Sequence, residues 1–201
     1  MPAVVSGGRA DATVLRPCPP TTGSLASCPM STQAASGRPV PPDRIGPGGT
    51  VVTDDEAMVM ALAEAELAVG HDDVPVGAVA LLGGTVIAAR HNEREKTGDP
   101  TAHAELLALA DAAVAVGGWR LNEVTLVVTL EPCPMCAGGL VAARVGRLVF
   151  GAADLKAGAC GSLYNLCADP RLNHEVTVTP GVRGAEASDQ LKRFFEGRRP
   201  L

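Results

Sequence analysis

The sequence contains few aromatic residues: one Trp, one Tyr and three Phe among 201 residues. A chain of this length suits one domain with a packed core and is too short for two ordinary domains. Hydrophobic residues nevertheless make up 46% of the chain. The core of that domain is therefore expected to be aliphatic, built chiefly from Ala, Val and Leu.

Long apolar segments are also missing. No stretch approaches the roughly 18 apolar residues of a transmembrane helix, and the N-terminus lacks the uninterrupted apolar run of a signal peptide. These absences predict no membrane association and a cytoplasmic, reducing location. In such a location the six cysteines favour a metal site or a catalytic thiol over a disulfide framework.

An excess of positive charge is absent as well, because the formal net charge is −5. This balance argues against a generally basic nucleic-acid-binding surface but not against a local basic patch. Residues 189–201 hold four basic and two acidic side chains. Arg144 and Arg147 are candidates to extend that patch.

Residues 1–50 differ in composition from the rest of the chain. They hold nine of the sixteen prolines and seven glycines, and such a segment cannot bury enough apolar surface to offset the entropy of ordering. We therefore expect a disordered Pro/Gly-rich N-terminal extension over 1–50, with Cys18 and Cys28 incidental, and a folded domain over 51–201. A transit peptide and a translation start assigned too far upstream are two alternative interpretations of this segment.

Helices and strands are predicted to alternate from Thr53 onward. The letters TDDE form a capping box for a first helix that ends at Gly70, and Gly83 with Gly84 supplies the tight turn of a hairpin. A second helix is predicted from near Thr101 to the following Gly-Gly pair. The apolar run VTLVVTL is typical of a strand buried on both faces.

After that strand, Pro132 and Pro134 suit the first turn of a third helix that runs to about Arg144. The segments GRLVFGA and HEVTVT are predicted strands, and SDQLKRFFEGRR is a predicted last helix. This alternation predicts an α/β domain built in layers, with the sheet in the middle.

The stretch EPCPMCAGG places Cys133 and Cys136 where the buried strand turns into the third helix. A helix N-terminus lowers the pKa of a thiol, because the helix dipole and the free N–H groups favour thiolate, the species that binds zinc. His103 lies at another predicted helix N-terminus. One imidazole and two thiolates make three protein ligands, the number held by a catalytic zinc that keeps one position open for water.

Glu105, two residues after His103, supplies a second requirement of a hydrolytic site. Zinc lowers the pKa of bound water from about 15.7 to about 7. Hydrolysis then needs a group that takes a proton from this water and returns it to the leaving group, and a carboxylate beside the water fits that role.

Other interpretations apply to parts of this pattern. A C-x-x-C pair alone suits a redox site, although such a site has no use for an upstream His-x-Glu. A structural zinc that recruits Cys160 or Cys167 matches no common finger or ribbon spacing, and a lone His at a helix start is usually a cap or a core histidine. H-x-E followed by P-C-x-x-C is the combined signature of zinc-dependent nucleobase deaminases.

The chain resembles bacterial tRNA-specific adenosine deaminases in more than this signature. The segments VPVGAV, DPTAHAE, TLEPCPMCAGG, RVGRLVFGA, GSL, NH and FFEGRR occur in that family's order and spacing, over roughly residues 54–200. The resemblance implies a cytidine-deaminase-like α/β fold, a three-layer α/β/α sandwich with a central mixed five-stranded sheet, and a homodimer. It also implies that residues 51–201 form a zinc-dependent domain that deaminates the wobble adenosine of an arginine tRNA to inosine and releases ammonia.

The same resemblance assigns roles to individual residues. It implies one zinc ion per subunit on His103, Cys133 and Cys136, and proton transfer by Glu105. Other residues would contact the base, shape its pocket or contact the RNA of an anticodon stem-loop: Asn92 for the base; Val76, Ala104 through its N–H, and Pro132 for the pocket; and Asp154, Lys156, Phe195 and Arg198 for the RNA.

The individual substrate contacts have less specific alternatives. Asn92 also suits a turn, Asp154 and Lys156 a solvated loop, and Phe195 an aromatic core position.

Two other functions share parts of the pattern. A free-base or nucleotide deaminase acting on guanine or cytosine has the same zinc signature, whereas a zinc-stabilised RNA-binding module without catalysis has no need for Glu105. The chain also departs from the tRNA deaminase pattern where Ala153 replaces an Arg and where Cys160 replaces a small residue. The first change weakens one possible RNA contact, and the second adds a thiol near the site.

Overall fold

The computed structural model describes residues 51–196 and residue 198. The segment 1–50, predicted to be disordered and containing Cys18 and Cys28, lies outside the described residues. Among the residues that are described, no helix is long and apolar enough to cross a membrane.

Helices and strands alternate along the described part of the chain, with a short 3-10 turn at Leu166–Ala168 before the last strand. The helices are α1 (Asp54–Val69), α2 (Arg94–Thr97), α3 (Ala104–Val116), α4 (Pro134–Ala142) and α5 (Gly184–Glu196). The strands are β1 (Gly77–Leu82), β2 (Thr85–His91), β3 (Val124–Leu130), β4 (Arg147–Ala152) and β5 (Thr177–Pro180).

The strands form one mixed five-stranded sheet in the order β2-β1-β3-β4-β5. β1 runs antiparallel to β2 and β3, whereas β3, β4 and β5 run parallel to one another. Parallel neighbours need a crossover connection, and α4 supplies the one from β3 to β4. The loops that follow β3 and β4 therefore lie side by side at the carboxyl edge of the sheet, where α/β folds form their binding crevices.

Alternate strand residues point to opposite faces of the sheet and form two cores. Val79 and Val127 pack with α1 on one face, while Leu126 and Val128 pack with α3 and α4 on the other. α5 joins the α1 face, because Gln190 donates a hydrogen bond to a backbone carbonyl of α1 at 3.2 Å. The cytidine-deaminase-like three-layer α/β/α sandwich and the aliphatic core are both confirmed.

Two local predictions, one of a helix start and one of a hairpin turn, are also confirmed. Thr53 and Glu56 form a capping box at the start of α1. Gly83 and Gly84 turn the hairpin with φ angles of 57° and 80°, and a two-residue hairpin turn favours glycine because positive φ is needed at both positions.

Two helix starts differ from the predictions. α3 begins at Ala104 rather than near Thr101, because His103 donates its N–H to the Thr101 carbonyl at 2.7 Å in a preceding turn. α4 begins at Pro134, so Pro132 lies outside its first turn. The Pro132 carbonyl instead accepts a hydrogen bond from the loop that follows β4.

Other boundaries differ toward the C-terminus. α4 ends at Ala142, and Arg144 has left the helix with a φ of 60°. β5 begins only at Thr177, whereas α5 begins at Gly184, four residues before the predicted serine, because the intervening Ala and Glu residues are good helix formers. The four-residue helix α2 had no signal strong enough to predict it.

Candidate active site

Three side chains converge at the N-termini of two helices. His103 is the N-cap residue of α3, Cys133 is that of α4, and Cys136 lies in the first turn of α4. His103 Nδ1 is 3.8 Å from Cys133 Sγ and 3.5 Å from Cys136 Sγ, and the two sulfur atoms are 3.7 Å apart. These ligand atoms all lie within 4.8 Å of one another, so the group could hold a metal ion.

The two thiols of this group differ in acidity. Hydrogen bonds with Cys136 and with His103 lower the pKa of Cys133 to about 3, although burial acts to raise it. The same contact with Cys133, followed by burial, raises the pKa of Cys136. One thiolate is therefore available at neutral pH before a metal binds, and thiolate is the form of cysteine that binds metals.

Glu105 lies in the first turn of α3 and is only 4% exposed. Burial raises the pKa of Glu105, as is typical of carboxyl groups that exchange protons near neutral pH. Within the described residues its Oε2 atom has no hydrogen-bond partner, an uncommon and unfavourable state for a buried polar atom. Glu105 also raises the pKa of Cys136, after the larger effects of Cys133 and burial, which places the carboxylate beside the ligand group.

Asn92 is buried directly after β2, and its side chain bridges two backbone segments. Its Oδ1 accepts a hydrogen bond from the Ala104 N–H at 2.9 Å, and its Nδ2 donates to the Val74 carbonyl at 3.1 Å. Its own N–H donates to the carbonyl of the buried Val76 at 3.0 Å. Asn92 thus holds the start of α3, the Ala104 N–H is already occupied, and one Nδ2 hydrogen is left for another acceptor.

Glu131 is a buried residue of this region that the sequence analysis missed. It is 2% exposed and accepts hydrogen bonds from the backbone N–H groups of Asp154, Cys160 and Ser162, each at 3.0 Å, and from the Ser162 hydroxyl. Burial acts to raise the pKa of Glu131, but these hydrogen bonds outweigh it and lower the pKa. An acidic residue directly after a mostly apolar, buried strand was the available sequence signal.

The expected RNA contacts lie mainly around a cavity beside α5. Lys156, Phe195 and Arg198 line a cavity of about 510 Å³ together with other residues of α5. Phe195 is 48% exposed, so the interpretation as a core aromatic is wrong for this residue and applies to the buried Phe194 instead. Pro132 is buried and lies between Glu131 and the metal-ligand group in sequence.

Two of the expected RNA contacts have structural partners within the protein. The Asp154 carboxylate accepts hydrogen bonds from the N–H groups of Lys156 and Ala157 at 2.9 and 3.1 Å, which shapes the loop after β4. The Arg198 guanidinium pairs with Asp72 and stacks over the Phe194 ring, 3.7 Å from its centroid.

The predicted contribution of Arg144 and Arg147 to a basic patch has no support in the structure. Arg147 forms two hydrogen bonds with the carboxylate of Asp54, at 2.8 and 2.5 Å, and one with Thr179 at 2.9 Å. Arg144 donates to the backbone carbonyl of Asn173. The charge of Arg147 is thus paired, and both arginines join elements of the fold.

Cys160 and Cys167 form a separate pair of thiols. Both are buried, and their sulfur atoms are 3.6 Å apart. Among the described residues the only His/Cys/Asp/Glu group close enough to hold a metal consists of His103, Cys133 and Cys136. Neither Cys160 nor Cys167 therefore serves as a fourth protein ligand, which argues against a structural four-ligand site.

Comparison with known proteins shows the general class of protein to which the chain belongs. The family model for MafB19-like deaminases matches residues 52–199. A solved structure of guanine deaminase from Nitrosomonas europaea is similar over 73% of this chain and 86% of its own, with a TM-score of 0.64 and 23% identity, a level that shows the fold alone. Fold and ligand group together define a deaminase.

More similar proteins define the family within that class. The tRNA-specific adenosine deaminase of Bacillus subtilis is 47% identical over 145 residues, which cover 72% of this chain and 90% of that protein. A structure from a study of A-to-I editing by tRNA:A34 deaminases at the wobble position is 41% identical over 67% of this chain and 97% of its own, with a TM-score of 0.65. The chain belongs to the tRNA-specific adenosine deaminase family.

Proposed function

We propose that this protein is a hydrolase that converts adenosine to inosine at the wobble position of a tRNA and releases ammonia. The observation that carries the proposal is the buried Glu105, whose side chain interacts with Cys136 of the His/Cys/Cys group and whose Oε2 has no partner among the described residues. A binding module would gain nothing from a buried carboxyl group in which one oxygen has no partner among the described residues, whereas a hydrolase needs a group that transfers protons. Membership of the family supports tRNA as the substrate, and the motif resemblance favours an arginine tRNA.

Zinc is the metal that we propose for His103, Cys133 and Cys136, one ion per subunit. For Zn–S bonds of about 2.3 Å and Zn–N bonds of about 2.0–2.1 Å at tetrahedral angles, the sulfurs should be about 3.8 Å apart and each sulfur about 3.6 Å from the nitrogen. The separations of 3.7 Å between the sulfurs and of 3.8 and 3.5 Å to His103 Nδ1 fit those values. Soft thiolates with an imidazole also suit zinc better than magnesium or calcium.

The metal and the protein side chains would have separate roles in the reaction. When bound, zinc would activate a water molecule for attack on C6 of adenine. Glu105 would take a proton from that water and deliver one to the departing amine, and its burial keeps the carboxylate from bulk water during the exchange. Asn92 fixes the N–H of Ala104 and so the segment that holds His103 and Glu105, and its remaining Nδ2 hydrogen is available to a ring atom of the base.

The RNA would be held by residues around the cavity beside α5. Lys156 and Phe195 offer a positive charge and an exposed aromatic face, which suit phosphate contact and base stacking in single-stranded RNA. Arg198 would contact phosphate by giving up its pairing with Asp72. An unpaired loop nucleotide costs little to extrude into a pocket. A few such contacts are sufficient despite the net charge of −5.

A guanine or cytosine deaminase is the second candidate, because the fold is shared with a guanine deaminase. We expect the purified protein to form inosine in an anticodon stem-loop with a wobble adenosine, and to leave free adenosine, guanine and cytosine unchanged. The products are identified by chromatography and mass spectrometry of nucleosides after digestion. Deamination of a free base with no reaction on the stem-loop would overturn the proposal in favour of this second candidate.

We also propose that residues 51–201 are the whole deaminase domain, that it acts as a homodimer, and that residues 1–50 are dispensable for its activity. Several apolar side chains are exposed in the first turn of α4 and in the segment after β4, namely Met135, Leu155, Leu163 and Tyr164. Deleting residues 1–50 should leave inosine formation unchanged and give the mass of a dimer by light scattering. Loss of activity in the truncated chain would show that residues 1–50 are needed. The mass of a monomer would contradict the homodimer.

A further inference from the structure

Glu131 connects the metal-ligand segment after β3 with the loop after β4, which contains proposed RNA contacts. It lies two residues before Cys133 in the loop after β3, and its N–H donates to the Ala152 carbonyl at the end of β4 at 2.8 Å. Its carboxylate accepts hydrogen bonds from Asp154, Cys160 and Ser162, which all belong to the loop 153–163 after β4. One buried side chain therefore ties that loop to the metal-ligand segment.

The chemistry of this contact requires an ionised carboxylate. Its two oxygens offer about four acceptor sites and no donor, and the surrounding groups are three N–H donors and one hydroxyl. An amide in the same place has one oxygen, so its NH₂ group would face N–H donors that it cannot satisfy. Buried donors without an acceptor are costly. Glu131→Gln should therefore release part of the loop, even though the size of the side chain is nearly unchanged.

The packing of Gly158 against Glu131 is a second observation that the loop and this carboxylate are in close contact. A Cβ atom built on Gly158 would lie 2.4 Å from both Cδ and Oε2 of Glu131 and 2.5 Å from the Asp154 carbonyl oxygen. The loop thus passes directly over the carboxylate, with no room for a side chain. The neighbouring Ala159 donates its N–H to the Pro132 carbonyl at 2.8 Å, which adds a backbone link next to the ligand Cys133.

We propose that Glu131 is a positioning residue, which holds loop 153–163 on the metal-ligand segment and so keeps Asp154 and Lys156 in place for the RNA. This inference rests on the proposed function, since it concerns binding of the stem-loop. Every hydrogen bond that the Glu131 carboxylate accepts comes from loop 153–163 and none from the ligand group. Its loss should weaken RNA binding while leaving the ligand group and the chemical step largely intact.

The test compares Glu131→Gln with three other variants of the full chain, each loaded with zinc. Ser162→Ala removes only the hydroxyl bond, Gly158→Ala inserts a methyl group against the carboxylate, and Glu123→Gln changes an exposed glutamate as the control. Amide hydrogen exchange followed by mass spectrometry reports on loop 153–163. Zinc content and the values of KM and kcat on the stem-loop are measured in parallel.

We expect exchange in loop 153–163 to rise strongly in Glu131→Gln and Gly158→Ala, to rise less in Ser162→Ala and to stay unchanged in Glu123→Gln. KM should rise about tenfold in the first two variants, as for the loss of one good contact, while zinc content stays at one per chain and kcat changes much less. Unchanged exchange in Glu131→Gln would refute the anchoring role, and raised exchange with unchanged KM would refute its role in RNA binding.

Two further results are informative. If Glu131→Gln does not fold, Ser162→Ala decides the matter, since it leaves the three backbone hydrogen bonds in place. The proposal is then contradicted if neither the loop exchange nor the KM of Ser162→Ala increases. If the wild-type protein does not deaminate the stem-loop, the proposed function fails, but the exchange measurement still decides whether Glu131 holds the loop.

Discussion

Glu105→Gln is expected to lower kcat for inosine formation by about 10⁴-fold or more while leaving zinc content and stem-loop affinity unchanged. General acid–base groups typically contribute about 10²–10⁴-fold. The upper end is expected here because one carboxylate would serve both transfers, from the water and to the leaving nitrogen. An amide can do neither.

The surroundings of Glu105 make this substitution a specific test. Glutamine has nearly the same size, so it should fit the buried site at the start of α3 without a cavity. The side chain is not one of the three grouped ligands, so the metal should stay. The unpartnered Oε2 means that no hydrogen bond from this atom to the described residues is lost. A fall in rate would therefore report on proton transfer.

The measurements are zinc analysis, stem-loop binding and single-turnover inosine formation, with the exposed Glu123→Gln as the control. A rate for Glu105→Gln within a few-fold of the wild-type rate would show that the proposed mechanism is wrong. Loss of zinc together with activity would instead show that Glu105 supports the metal site.

The ligand group could be predicted from sequence because its residues lie where element boundaries are strongly marked. Cys133 lies three residues after a mostly apolar strand and directly precedes Pro134, the first residue of a helix, so strand end and helix start can both be recognised in the sequence. His103 ends a short turn before an alanine-rich helix. Local signals thus placed each ligand at a helix N-terminus, and the motif linked them across the chain.

The contacts that depend on distant chain segments could not be derived in this way. The partner of Asn92 is a backbone N–H twelve residues later, and those of Glu131 are 23 to 31 residues later. Backbone donors leave no trace in side-chain identity, so no motif reports them. The same reason explains Arg147, which looked like a free cation until folding brought it to Asp54, 93 residues away.

Cys136→Ala is expected to abolish zinc binding and to lower the melting temperature, whereas Cys167→Ala should keep the metal. Both cysteines are fully buried, so the two substitutions remove the same atom from similar surroundings. Only Cys136 belongs to the ligand group. A difference between the variants in zinc content therefore isolates ligation from packing.

The size of the effect on stability follows from linkage. Zinc present at 100 times its dissociation constant stabilises the folded state by about 2.7 kcal/mol, and 1 kcal/mol shifts the melting temperature by roughly 2–4 °C in a domain of this size. A chelator should therefore lower the melting temperature of the wild-type protein and of Cys167→Ala by about 5–10 °C. It should have no effect on Cys136→Ala, which has no metal to lose.

The same measurements separate a metal site from a redox pair at these positions. A dithiol that served only redox chemistry would be purified without zinc under reducing conditions, and its melting temperature would respond to oxidant rather than to chelator. A reversible disulfide between Cys133 and Cys136 in a zinc-free wild-type protein would overturn the metal assignment. The 3.7 Å separation of the two sulfurs suits two ligands of one ion, and His103 Nδ1 at 3.5 and 3.8 Å from them completes a set of three ligands.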